Sequence, residues 1–272
     1  MKLKILYVTQ EIVPFLPETE VSKMCRFLPQ KIQERNREIR TFIPKFGSIN
    51  ERRHQLHEVI RLSGMNLVIN DTDHPLIIKV ASIQPARMQV YFIDNDDFFG
   101  RKFVFTDKNG KDFSDNDERA IFYSKGVVET VKKLGWAPDI VHCHGWFTAF
   151  FPYYLRKVYH NDPIFDHDFK IVYSFYNDKF KKTLDAQLPN KLMEGSVQQD
   201  DLKTLTEPTW QNVNRFAFQY SDAIIQGTQK PDEELLLELE NSGKPFLKYQ
   251  SEENYVEKYD EFYTRLLENR LK

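Results

Sequence analysis

Lys4-Ile5-Leu6-Tyr7-Val8-Thr9-Gln10-Glu11-Ile12-Val13-Pro14-Phe15 begins as a buried strand and ends as a loop. From Leu3 to Val8 the run is apolar and rich in branched residues, the composition of a central parallel strand covered on both faces. Gln10 and Glu11 break it, which argues for a strand and against a signal peptide. Pro14 and Pro17 mark a loop, a helical stretch follows from about Val21 to Arg35, and Glu38 to Ile43 reads as a second strand closed by Pro44. This β-loop-α-β order is the first unit of a doubly wound sheet. The expected fold class is α/β: a three-layer, Rossmann-like, mainly parallel sheet.

Further along the pattern changes and then returns. Residues 45 to 94 hold short runs such as Leu67-Val68-Ile69 and Leu76-Ile77-Ile78-Lys79-Val80, which predict a small antiparallel extension before a strand at Gln89 to Ile93. Asp96 to Asp112, with Gly100 and Gly110, reads as an exposed loop. Asp115 or Asn116 is expected to cap a helix running to about Leu134, with Lys132 and Lys133 in its last turn. Strands are expected at 139–143, 169–175, 222–226 and 244–249, and helices at 146–159, 207–220 and 231–240. Residues 178 to 206 are polar and show no period. Tyr255, Tyr259, Phe262, Leu266 and Leu267 form an apolar stripe. They predict a final helix over about 252–270 that packs back on the sheet. With no repeat or linker, residues 1–272 are expected to form one domain.

Composition narrows the partners. Lys+Arg at 38 against Asp+Glu at 40 leaves a net charge of -2, which gives no footing for nucleic acid or an anionic membrane surface. No run approaches a membrane span. Two cysteines, Cys25 and Cys143, are too few for a disulfide framework. A cytoplasmic protein with reduced thiols is expected. Phe at 22 and Tyr at 13 supply either bulky core or a surface for stacking sugar rings.

Three clusters invite chemical readings. His142, Cys143 and His144 would place two imidazoles on one strand face, but no third and fourth ligand lies nearby, so no metal is expected. Asp94, Asp96 and Asp97 lack a calcium-loop pattern and read as a solvated loop. Trp146 and Phe147 at a helix start read as core anchors or as a stacking platform.

The opening stretch resembles the start of bacterial glycogen and starch synthases, and so does Trp136-Ala137-Pro138-Asp139-Ile140-Val141-His142-Cys143-His144-Gly145-Trp146. Ile43-Pro44-Lys45-Phe46-Gly47-Ser48-Ile49, Val90-Tyr91-Phe92-Ile93-Asp94-Asn95, Asp115-Asn116-Asp117-Glu118-Arg119 and Tyr220-Ser221-Asp222-Ala223-Ile224 match further family segments in order. The resemblance covers about residues 3–50 and 88–230. It implies the N-terminal half of a GT-B glycosyltransferase, an enzyme family that works in a cleft between two Rossmann-like domains. By the same resemblance, Glu11, His144, Trp146, Asn177 and Asn212 are the candidate remnants of a substrate-binding surface.

Several family positions depart from the pattern. The family's Lys-Thr-Gly-Gly-Leu loop reads Pro17-Glu18-Thr19-Glu20-Val21 here. Glycines and a lysine suit a phosphate at a helix N-terminus, whereas proline lacks an N–H and two carboxylates repel the anion. Lys23 stands where the family has an aspartate. The His-Asp-Trp-His-Thr motif reads His144-Gly145-Trp146-Phe147-Thr148, and Thr-Ile-His-Asn reads Ser174-Phe175-Tyr176-Asn177. Phe147 can carry no proton. Arg215 replaces a family lysine.

Altered contact points on a kept core imply that the transfer chemistry has been dropped. At 272 residues the chain leaves no room for the family's donor-binding domain. The resemblance therefore implies a glycogen/starch synthase-related protein reduced to its acceptor-side domain, binding α-glucan or a partner synthase, with no catalytic residue and no cofactor expected. The alternative is half of a split ADP-glucose or UDP-glucose glucosyltransferase completed by a donor-domain partner. A homodimer through the cleft face is a third expectation.

Overall fold

The computed structural model describes residues 2–84 and 86–268. Strand β1 (Lys4–Thr9) is buried from Ile5 onward, as its unbroken apolar run requires. It is followed by α1 (Glu20–Glu34), β2 (Glu38–Pro44) and the short α2 (Glu51–His54). Strands β3 (His57–Glu58), β4 (Met65–Ile69) and β5 (Thr72–Ile83) form the antiparallel extension, and β6 (Met88–Asp94) returns to the parallel sheet.

After α3 (Asp96–Phe99) and α4 (Asn116–Leu134) comes β7 (Ile140–His144). A 3₁₀ turn at Trp146–Thr148 leads into α5 (Phe151–Tyr153) and a π-helical turn, Tyr154–Val158. The chain then gives β8 (Lys170–Phe175), α6 (Leu188–Leu192), a 3₁₀ stretch Gln199–Leu205, α7 (Trp210–Tyr220), β9 (Ala223–Gln226), α8 (Glu233–Asn241), β10 (Phe246–Leu247) and α9 (Tyr255–Glu268). The two last residues expected in that helix, 269 and 270, lie outside the described residues.

The sheet order is β10-β9-β8-β7-β1-β2-β6-β5-β3, with β4 paired to β5. Every pair from β10 to β6 is parallel. This is the doubly wound α/β arrangement expected from the opening unit. On β7, His142 and His144 share a face; the Tyr263 hydroxyl of α9 lies 2.6 Å from His142 Nδ1, and α9 packs beside α1. Helices α4, α5 and α7 pack together in a second layer.

Three expectations need correction. Asp94 is not in a solvated loop; it is 2 % exposed and pairs with Lys79 at 2.8 Å, because the antiparallel β5 brings that lysine across β6. Only Asp96 and Asp97 of that cluster face solvent. The segment after Asp96 is not simply an exposed loop either. Phe98 and Phe99 are buried, and the wholly buried Arg119 donates to the carbonyls of Phe98 and Val104, which holds the segment down. Finally, Asp115 occupies the N-cap position of α4 without a capping hydrogen bond, since Arg101 takes its carboxylate.

The segment 178–206 is held by the buried Leu188, Leu192, Leu202 and Leu205 together with a cluster of enclosed charge. Lys191 is almost enclosed and reaches Asp117 at 2.7 Å, Glu118 at 2.8 Å and Asp185 at 2.8 Å. That cluster ties α6 to the start of α4.

Candidate functional site

The topology itself points to a place for a ligand. From β1 the chain winds outward through β2 and β6, then returns to β7 on the other flank of β1. The crevice at the carboxyl ends of β1 and β7 is therefore the switch point, where open α/β sheets bind ligands. Residues 10–20, 144–147 and 176–178 meet there.

Several backbone donors at this edge are already engaged. Thr19 caps α1: its Oγ1 accepts from the Ser22 amide at 3.0 Å while Ser22 Oγ accepts from the Thr19 amide at 2.7 Å. The Thr19 hydroxyl also donates to Glu11 at 2.6 Å. Burial pushes the Glu11 carboxyl above its ordinary pKa, and the Thr19 bond opposes that. Glu20 lies in the first turn of α1, and Glu18 pairs with Lys23 at 3.3 Å.

The Trp146 turn is closed in the same manner. The Trp146 amide donates to Asp178 Oδ2 at 3.1 Å and the Phe147 amide to Gln10 Oε1 at 3.1 Å. Gln10 Nε2 donates to Asp178 at 3.0 Å, and the Trp210 indole N–H reaches the other carboxylate oxygen at 3.1 Å. Enclosure of this carboxylate pushes its pKa up to about 6, with the nearby Glu11 charge adding to the effect. Gly145, at φ 83°, lies so close beneath Gln10 that a Cβ would come within 2.3 Å of its side-chain amide.

A cavity of about 430 Å³ opens beside the start of α1. Glu18, Thr19, Glu20, Lys23, Met24 and Phe27 form one wall; Gly227, Tyr249, Gln250, Glu252 and Tyr255 form the other. Its size suits a small ligand. Tyr176 lies against Gly227: a Cβ there would sit 2.5 Å from its ring. The Tyr176 hydroxyl, in turn, lies 2.8 Å from His144 Nδ1.

The sequence-derived residues divide accordingly. Thr19, Glu20 and Lys23 line the cavity, Glu11 lies one hydrogen bond away, and Pro17 is in the exposed loop just before it, its carbonyl accepting from Ser22. His144 and Trp146, candidates for contact remnants, are 0 % and 2 % exposed, and Trp146 takes the place of the core anchor that was its other reading. Phe147 and Tyr176 are buried with them. Asn177 is exposed beside the edge. Asn212 lies apart, donating to the Glu207 carbonyl and accepting from Arg215. Among the described residues no group of three or more His, Cys, Asp or Glu is placed to hold a metal. Sequence reasoning missed Gln10, Asp178 and the 249–255 wall. Asp178 follows the quoted strand end directly, and that adjacency was the available signal.

Comparison with known proteins fixes the lineage. The family model described as the starch synthase catalytic domain matches residues 4–240. The chain belongs to that family. It is similar to the glycogen synthase of Chlorobium limicola, 36% identical over 195 residues, which cover 71% of this chain and 40% of the relative. The glycogen synthase of Pelodictyon phaeoclathratiforme is 37% identical over 195 residues, with the same coverage. The chain thus spans about 40% of the length of these curated relatives. Among solved structures, the catalytic domain of starch synthase IV from Arabidopsis thaliana, bound to ADP and acarbose, superposes with a TM-score of 0.73. That likeness has 16% identity and covers 92% of this chain and 52% of the other, so it speaks for the fold alone. In this chain no helix among the described residues is long and apolar enough to cross a membrane.

Proposed function

We propose that this starch synthase-family domain binds an uncharged α-glucan end in the cavity beside α1 and does not, with its own residues, transfer glucose from a sugar nucleotide. One observation carries the reading: the N-terminal turn of α1 is capped by Thr19 and flanked by Glu18 and Glu20, with Glu252 on the facing wall. A helix N-terminus favours an anion by about 0.3–1 kcal/mol. At about 5 Å each carboxylate opposes a unit negative charge by about 1 kcal/mol in bulk water and about 3 kcal/mol at an effective dielectric near 20. Lys23 offsets Glu18 at 3.3 Å, and the two remaining carboxylates, Glu20 and Glu252, still outweigh the helix term. A neutral sugar meets no such term. The carboxylates and Gln250 can accept from its hydroxyls, and Phe27, Tyr249 and Tyr255 offer ring faces.

Purified chain incubated with ADP-glucose or UDP-glucose and maltoheptaose should extend no acceptor, while maltoheptaose alone should give a saturable heat in calorimetry. Turnover that persists after removal of contaminating synthase would refute the first half, and absence of heat the second. A second reading has this domain completed by a donor-binding partner, as the family's working cleft lies between two domains. Recovery of no such partner in a pull-down from the native host counts against it. Self-pairing of the cleft face is checked by light scattering.

A further inference from the structure

The two walls of the cavity are held in different ways. The α1 wall belongs to a helix packed on β1 and β2. The other hangs between the two-residue strand β10 and α9, and residues 251–254 within it are exposed. The family match ends at residue 240, so all of this wall except Gly227 lies beyond it. What fixes it is α9, through contacts away from the cavity. Asp260 accepts from Arg37 Nε at 3.0 Å and lies 3.7 Å from Arg35 Nη1; Tyr263 meets His142. Tyr255 joins the two regions, since it lines the cavity, begins α9 and lies under Lys31, whose Nζ is 5.2 Å from its ring.

Resting on the glucan reading above, we propose that residues 249–268 act as a clasp whose docking on α1 is coupled to occupancy of the cavity. A ligand that touches both walls binds only the docked form, so it must shift the balance between docked and loosened forms toward docked. The coupling is reciprocal: loosening α9 must weaken the ligand by the factor through which the ligand tightens α9. Asp260 is then a positioning residue, acting on the ligand only through the helix that carries the wall.

The test pairs calorimetry with hydrogen exchange on the full chain, using maltoheptaose as probe. Saturating maltoheptaose should slow exchange selectively in peptides spanning 249–268, leaving those of β1 and β7 unchanged. Asp260→Asn and Arg37→Gln, which break one ion pair from opposite sides, should each weaken maltoheptaose by about 5-fold, the scale of a part-buried pair. Both variants should keep wild-type exchange in the sheet. Binding heat without protection of 249–268, or protection spread evenly over the chain, overturns the clasp and leaves the glucan reading standing. Absence of heat removes the glucan reading, and the clasp falls with it.

Discussion

The Tyr176 hydroxyl lies 2.8 Å from His144 Nδ1, and both side chains are sealed from water. Burial pushes the His144 pKa down to about 3, so the imidazole is neutral at any physiological pH. Its Nε2 has no hydrogen-bond partner among the described residues. The pair fills the floor behind Gly227 and turns what resembles a family contact point into packing. Tyr176→Phe should destabilise the domain by about 1–3 kcal/mol, because His144 then has two unsatisfied nitrogens. Tyr176→Ala should cost about 3–5 kcal/mol through the cavity it leaves. Urea denaturation midpoints measure both, and equal midpoints for wild type and Tyr176→Ala would show the floor is not packed as described.

Two glycines with positive φ should respond differently to alanine. Gly135, at φ 59°, has open space around a built Cβ, so Gly135→Ala should cost about 1 kcal/mol for the left-handed conformation alone. Gly145→Ala adds a clash with the buried Gln10 amide, which in turn holds the Phe147 and Asp178 contacts. It should cost at least about 2 kcal/mol more. Similar losses of stability for the two variants would argue that Gln10 is free to move.

Lys191 neutralises carboxylates in a nearly dry cluster that includes the fully buried Asp117. Lys191→Met leaves that charge uncompensated and should cost about 3–5 kcal/mol. Adding Asp117→Asn should recover a large part of the loss. A double variant no more stable than Lys191→Met in thermal unfolding would place the anchoring of 185–205 elsewhere.

Asp178 sets a pH dependence of unusual sign. Its folded pKa, about 6, stands above the ordinary 3.8, so ionisation is carried at a cost in the folded state. The residue keeps some contact with solvent, but its carboxylate is enclosed. The cost is full above pH 6 and disappears as pH falls toward 4, so this group adds stability on acidification through that window. Wild type should therefore gain on Asp178→Asn as pH drops from 7 to 4.5. Melting curves of the two proteins that stay parallel over that range contradict the assignment.

Reading the sequence recovered the sheet because its strands are continuous apolar runs that only a doubly covered position accommodates. Leu3 to Val8 and Asp139 to Cys143 each fell within one residue of β1 and β7. The gathering of Glu18, Thr19 and Glu20 at the start of α1 was also legible, since it depends on residue types next to a helix start. The node at Asp178 was not. Gln10, Trp146, Trp210 and Asp178 are distant in sequence, and only the crossing of β1, β7 and β8 brings them together. His144 and Trp146 misled for a related reason: a strand end at the carboxyl edge faces either the crevice or the helical layer, and sequence does not say which. Nor could the stripe on α9 reveal that the segment before it walls a cavity.

The most direct test of the central claim is a calorimetric titration of the purified chain with ADP-glucose, run beside one with maltoheptaose. A saturable heat for maltoheptaose and none for ADP-glucose up to millimolar concentration is the predicted result. Saturable ADP-glucose binding by the unaltered chain that tightens further when Glu20 is changed to lysine would contradict it, because the diphosphate would then be seated on the helix end that Glu20 is held to close.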